Sequence, residues 1–277
     1  MKRLCLCLAL MLASRPARAV FAVDFPVVVR TQGVSTFFYT ALDATNNSAS
    51  PTDVVFEYIS ADLTIDAVGT LAVGLPGHAN FHSDDFLQLL ATQGAITQAQ
   101  ANGTFGTLLV TFTNPAFTTG QEASATVRVY NFVTPGSRPS IGTAYCGIVL
   151  RQNGSHALSS VLGNTTSAPA SVPAVVTNMG FENVGINDAG QLDQSPVTVT
   201  LTFYDGATGA RVGPQPTVTL QSGQMTQIND VWTTYGLPAA STTVVLSVQE
   251  TSGTAQIRGY VVLKDVFTND GSFYLMQ

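Results

Sequence analysis

Lysine is nearly absent from this chain: Lys2 and Lys264 are the only two among 277 residues. Charged side chains make up 10% of the sequence, and acids outnumber bases 17 to 11. Nucleic acid and anionic membranes are held by clustered Lys and Arg, so the composition argues against both as partners. Cysteine occurs only at Cys5, Cys7 and Cys146, and tryptophan only at Trp232. No apolar run reaches the roughly 20 residues that a spanning helix needs. A Gly-x-Ser-x-Gly elbow, a glycine-rich phosphate loop and a dinucleotide fingerprint are all missing. These motifs are local in sequence, so their absence counts against the enzyme classes that use them.

The first 19 residues have the order of a secretory signal. Lys2 and Arg3 give a positive start, residues 4–13 an apolar run, and Ala17-Arg18-Ala19 small residues where a signal peptidase reads. Cleavage after Ala19 removes Lys2, Arg3, Arg15 and Arg18 together with Cys5 and Cys7. Seven bases then face 17 acids, a net charge of 7 − 17 = −10. Cys146 is left alone and has no intramolecular disulfide partner. An exported chain without disulfides has to rely on a sizeable hydrophobic core.

The remaining sequence alternates with a period of two. Val197, Val199, Leu201 and Phe203 alternate with Thr198, Thr200, Thr202 and Tyr204. Val244, Leu246 and Val248 alternate with Thr243, Val245 and Ser247. Ala255, Ile257, Val261 and Leu263 oppose Gln256, Arg258, Tyr260 and Lys264, and Val127 and Val129 oppose Thr126, Arg128 and Tyr130. One apolar and one polar face per strand is the signature of antiparallel sheets packed on one side. Turn clusters such as Asp205-Gly206-Ala207-Thr208-Gly209 separate them. Helix is confined to residues 84–93, with Ser83 as N-cap, two acids in the first turn and Gly94 as the stop, and to a short turn over residues 96–101.

The pattern also repeats. A segment ending in Asn46 precedes the strand at residues 54–59, and one containing Asn183 precedes the strand at residues 197–204. Turns then lead to Asp85-Phe86-Leu87 and to Asp230-Val231-Trp232, and paired strands follow each. The offset drifts from about 137 to about 145 residues, as loop insertions would produce. The expected organisation is therefore a signal peptide at 1–19 and two domains at 20–150 and 151–277. The expected fold is all-β: two tandem Ig-like or Greek-key β-sandwiches, with a short helix in the first. Residues 148–151 and 158–162 are candidates for the first strand of the second module.

Arg30-Thr31, Asn46, Asp85, Val129-Tyr130-Asn131, Asn183, Asn229-Asp230 and Thr268-Asn269-Asp270 carry a resemblance. In this order they resemble the repeated β-sandwich domains of uncharacterised secreted proteins from acidobacteria-like environmental bacteria. The resemblance covers most of the mature chain. It implies the fold and export, and brings no activity with it.

Few residues suggest chemistry. The densest group of potential metal ligands is His78, His82, Asp84 and Asp85. On a strand, His78 and His82 share a face but lie about 13 Å apart, too far for one zinc ion. Solvent-exposed histidines beside a capping aspartate explain the segment without a metal. Calcium is the one ion that the acidic loops suggest, at Asp265 with Asn269 and Asp270 and at Asn187-Asp188 with Asp193. Turn chemistry accounts for the same residues. Ser/His/Asp and Cys/His catalysis would have to recruit His78, His82 or His156 over long range, since Cys146 has no histidine near it in sequence. Trp232 reads as a packing residue rather than a sugar platform.

These observations point to a secreted or periplasmic protein, possible also at the cell surface, that is not an enzyme and needs no cofactor. A structural, adhesive or binding role toward protein or polysaccharide fits best. The alternatives are a carbohydrate-binding accessory module and, less well supported, a secreted hydrolase. Expression of the full chain in a Gram-negative host should yield a mature protein that begins at Val20. Intact-mass and N-terminal sequencing of the exported fraction check this, and a retained Met1 would contradict it.

Overall fold

The computed structural model describes residues 21–32, 37–65, 69–117, 122–132, 143–146, 148–149, 155–165, 174–189, 191–266 and 271–276. The chain is all-β, with several antiparallel sheets and three short helices among the described residues. It divides into two compact units. The first holds the described residues up to 132 together with 144–149, and the second those from 155 onward together with Thr143.

The strands of the first unit are β1 (Phe21–Gln32), β2 (Phe37–Asn46), β3 (Thr52–Ser60), β4 (Gly69–Leu75), β5 (Asn80–Ser83), β6 (Thr104–Phe112), β7 (Ala123–Phe132), β8 (Thr143–Cys146) and β9 (Ile148–Val149). Helices α1 (Phe86–Thr92) and α2 (Gln98–Ala101) lie between β5 and β6. All nine strands join one sheet in the order β4-β3-β6-β1-β2-β7-β8, with β5 on β2 and β9 on β1. The sheet curls into a half-barrel because β1 serves both halves. Its first ten residues pair with β6, and its last three, Arg30 to Gln32, pair with β2. The inside of the curl is filled by Phe25, Leu42, Phe56, Leu108, Phe112 and Val127, all fully buried. Phe56 meets Phe81 at 4.9 Å and Phe86 at 5.4 Å, which ties α1 to the sheet through aromatic contact.

The second unit contains β10 (Ala157–Gly163), β11 (Val175–Asn187), β12 (Val197–Asp205), β13 (Arg211–Val212), β14 (Thr217–Leu220), β15 (Met225–Ile228), α3 (Val231–Tyr235), β16 (Thr243–Ser252), β17 (Ala255–Asp265) and β18 (Gly271–Leu275). One sheet runs β10-β16-β12-β13 with β14 on β12, and the other runs β15-β11-β17-β18. The two sheets share one core. Val197, Val199, Leu201, Phe203, Val244, Leu246 and Val248 supply one wall, and Met179, Phe181, Ile257 and Val261 the other. Val197, Val199, Leu201, Phe203, Val244, Leu246, Val248, Ile257 and Val261 have the parity that the sequence alternation assigned to the apolar face.

The same pairings occur in both units. β2 pairs β5 and β7 as β11 pairs β15 and β17, and β3 pairs β4 and β6 as β12 pairs β14 and β16. Register agrees too: Val54 faces Val73 as Val199 faces Val218, and Phe56 faces Val110 as Leu201 faces Val248.

Buried polar side chains recur at matching places. Thr40 Oγ1 accepts from Val29 N at 2.8 Å and donates to Val29 O at 3.0 Å. Thr177 does the same with Gly163, at 3.1 and 2.5 Å. Asn46 Nδ2 donates to the carbonyls of Ser50 (2.8 Å), Leu75 (3.3 Å) and Pro76 (3.0 Å), and its Oδ1 accepts from Ser48 N. Asn183 Nδ2 donates to Ser195 O (3.0 Å) and Leu220 O (3.3 Å), and its Oδ1 accepts from Gly185 N. Both asparagines are fully buried. Asn46 ends β2 and Asn183 stands at the register shift of β11, and each ties together carbonyls of nearby turns and strand ends.

Three sequence expectations need correction. Ser83 does not cap α1, because it still pairs with Leu42 in the β2–β5 ladder. Asp85 is the cap, with extended backbone and a carboxylate that accepts from Gln88 N, so both acids precede the first turn. A short helix is also present in the second unit, where Asp230 caps α3 through Thr233 N. Residues 148–149 do not open the second unit: β9 pairs with Val23 and Asp24 of β1.

Asn46→Ala and Asn183→Ala each leave buried carbonyls without a donor, a loss of about 1–3 kcal/mol per stranded group. Both variants should unfold at clearly lower denaturant than the parent, whereas Asn47→Ala, at an exposed position, should not. Equilibrium urea unfolding followed by circular dichroism measures this.

Candidate functional site

The outer face of the β5-β2-β7 part of the first unit concentrates the titratable and aromatic side chains. Alternation along β2 turns Leu42 and Ala44 into the core, so Tyr39 and Asp43 point the other way. Asp43 faces His82 across the β2–β5 ladder, and Tyr39 faces Tyr130 across β2–β7. His82 Nδ1 lies 2.9 Å from Asp43 Oδ1, and its Nε2 3.0 Å from Asp84 Oδ1. Asn80 Nδ2 donates to the same Asp43 oxygen at 3.1 Å. Tyr39 and Tyr130 stack at 5.1 Å, and the Arg128 guanidinium sits 5.8 Å over the Tyr130 ring. Nearby, Arg30 Nε donates to Asp85 Oδ2 at 2.9 Å, its Nη1 donates to Asn102, and its guanidinium lies over the Phe37 ring.

A neutral imidazole donates from one nitrogen only, whereas an imidazolium donates from both. With a carboxylate on each nitrogen, His82 favours the charged form. Its pKa is raised above the ordinary value near 6.5, first by the hydrogen bond it donates to Asp43 and then by that to Asp84. Neither ring nitrogen is left to accept a proton from a nucleophile, which general-base catalysis requires.

The second unit has its own version of the arrangement. His156 Nδ1 lies 2.5 Å from Glu250 Oε2 and its Nε2 3.1 Å from Asp188 Oδ1. The contact with Glu250 is the main cause raising the His156 pKa. Gln256 Nε2 also donates to Asp188, at 3.0 Å.

The place corresponding to His82 and Asp43 holds different residues in the second unit. Gln227 faces Gly180 across β11–β15, and the Tyr260 hydroxyl donates to Gln227 Oε1 at 2.9 Å. A Cβ on Gly180 would come within 2.3 Å of the Tyr260 ring, so only glycine lets that ring lie over β11. Tyr260 also stacks on Phe273 at 5.4 Å and is 1% exposed. Arg258, two residues away on β17, is buried as well and faces the buried Glu182 in register. The sequence alternation assigns Arg258 and Tyr260 to a polar outer face; the structure buries both.

The other residues singled out from sequence are dispersed. His78 is exposed, in a left-handed turn whose amide donates to Ser48 O, and does not join His82. Asp265 ends β17 opposite Val175, while Asn269 and Asp270 lie outside the described residues. Asn187 Oδ1 accepts from two amides of its own turn, and Asp193 accepts from Ser195 and Thr254. Among the described residues, no three His, Cys, Asp or Glu side chains are grouped to hold a metal ion. Trp232 is 5% exposed, and its indole N–H donates to Ser241 O. A groove of about 610 Å³ between Pro51, Leu75, Pro76 and Asn114 contains one titratable side chain, Asp53. Acid–base hydrolysis of a glycoside needs two.

Sequence reasoning found His82 and Asp84 but missed Asp43 and the His156 group. Asp43 lies 39 residues from His82, and Glu250 lies 94 from His156. Only the strand register brings them together.

No protein-family model matches the chain, and no curated protein matches it.

The raised His82 pKa has a signed consequence. The stability it contributes is complete below the unfolded value near 6.5 and is lost as pH rises through the higher folded value. An NMR titration of the His82 ring should give a midpoint above 6.5. Asp43→Asn should lower that midpoint more than Asp84→Asn does. Equal effects, or none, would contradict the assignment.

Proposed function

We propose that this is an exported, non-catalytic binding protein built from two copies of one Ig-like or Greek-key β-sandwich module. It acts in the periplasm or outside the cell on protein or polysaccharide surfaces. The observation that carries this reading is the contrast between framework and face. The buried threonines, asparagines and capping aspartates recur at matching places. The outward residues at the same framework position do not: Asp43 and His82 stand where the second unit has Gly180 and Gln227. A retained scaffold with unlike faces suits a protein whose parts meet different surfaces. Supporting it further, both described histidine clusters have their ring nitrogens engaged by carboxylates. The residue 1–19 pattern supports export.

A carbohydrate surface is the second reading, favoured by the Tyr39–Tyr130 stack with Arg128 over it. Stacked aromatics and an arginine suit the apolar face and hydroxyls of a sugar.

Incubating the mature chain with insoluble cellulose, chitin and peptidoglycan separates the readings. The proposal expects no soluble product from any of them. Retention on one polymer that drops at least fivefold in Tyr130→Ala supports the carbohydrate reading. Release of reducing sugar or peptide would overturn the non-catalytic assignment.

A further inference from the structure

The chain changes sheets at His156. Ser155 exchanges backbone hydrogen bonds with Ile257 of β17, at 3.2 and 2.9 Å, while Ala157 faces Gln249 of β16 in the other sheet. The His156 ring spans the same boundary. Its Nδ1 meets Glu250 of β16, and its Nε2 meets Asp188, which follows β11. β16 and β11 belong to different sheets of the second unit. One ring therefore joins the two sheets through two carboxylates.

The two arms are unequal. The Glu250 side chain is 7% exposed and lies 2.5 Å from the ring; the Asp188 side chain is 73% exposed and lies 3.1 Å away. Asp188 also has a second partner, Gln256 Nε2 at 3.0 Å, on β17 of its own sheet. A buried carboxylate that loses its hydrogen bond is left desolvated, whereas an exposed one turns to water. Among the described residues, Glu250 from β16 and Asp188 from the turn after β11 are the charged groups that face the ring. β17 brings the uncharged Gln256, and β10 has no charged side chain. Both carboxylates raise the His156 pKa, Glu250 first, against the burial that lowers it.

We propose that His156 is a proton-operated clasp between the two sheets of the second unit, closed in the imidazolium and open in the neutral ring. The imidazolium donates to both carboxylates. After loss of one proton the ring donates from one nitrogen only, and the partners of the two nitrogens decide which. Nδ1 keeps its proton, toward the buried Glu250. Nε2 gives its proton to water and becomes an acceptor facing a carboxylate, which repels it. Asp188 then turns to water and stays with Gln256. The break falls between the sheets and leaves each half of the clasp on its own side. This end of the unit is tight in mild acid and loosens as pH rises, whatever the protein binds. The stability that the clasp contributes is complete below the unfolded value near 6.5 and is lost as pH rises through the higher folded value.

From residue 155 onward, His156 is the only histidine, and Trp232, the one tryptophan of the chain, packs in the core of that unit. Urea unfolding of the mature chain is followed by tryptophan fluorescence in a His82→Gln background, which removes the other bridged histidine. The midpoint should be lower at about pH 8.5 than at about pH 5.5, a window that brackets the histidine range. Adding His156→Gln should abolish the difference. An equal midpoint at both pH values, or an undiminished difference after His156→Gln, overturns the proposal. Nitrogen-15 NMR of the His156 ring in the unsubstituted mature chain tests which arm opens. Above the titration midpoint the remaining proton should reside on Nδ1. A proton on Nε2 would keep Asp188 held and would overturn the clasp as well.

Discussion

Each unit depends on the full satisfaction of one central strand, β2 in the first and β11 in the second. That strand has neighbours on both sides, so its backbone donors and acceptors are used along most of its length. Where the ladder cannot reach, a side chain does the work. A threonine grips the edge of the preceding strand, and an asparagine ties together the carbonyls of the loops around it. A buried polar group left unpaired costs about 1–3 kcal/mol, more than a typical hydrogen bond contributes net, so these four polar side chains stabilise the closed core.

Once that strand is fixed, the rest follows by parity. Residues on one side of β2, β3, β11 and β12 enter the core, and the others face outward. The capping aspartates sit just after β5 and β15, close to the outer face, which is why the helix starts in both units lie beside whatever that face displays. In the first unit the display is His82 held between Asp43 and Asp84; in the second it is Tyr260 laid over Gly180. The scaffold therefore constrains position and leaves chemistry open.

Much of this is legible in the sequence, for a physical reason. Val197 to Phe203 and Val244 to Val248 alternate strictly, and their inward members are all fully buried. Asn46, Asn183, Asp85 and Asp230 stand out as recurring polar residues beside apolar runs. What the sequence does not reveal depends on register and on hollows. Arg258 and Tyr260 have the parity of an exposed face, yet the missing side chain at Gly180 makes room for the tyrosine ring. Ser83 has cap chemistry but is held in a ladder. The partners of His82 and His156 come from distant strands, and the continuity of the first sheet rests on the last three residues of β1. Periodicity alone marks none of these.

The central claim is that both units are organised by the same buried asparagine. Native-state hydrogen exchange tests it most directly. The Asn46 amide donates to Ala79 O and the Asn183 amide to Gln224 O, both inside the framework. The account predicts that these two amides are among the slowest in their units and exchange only through opening of the whole unit. Exchange of either at the rate of the end-strand amides of β18 would contradict it.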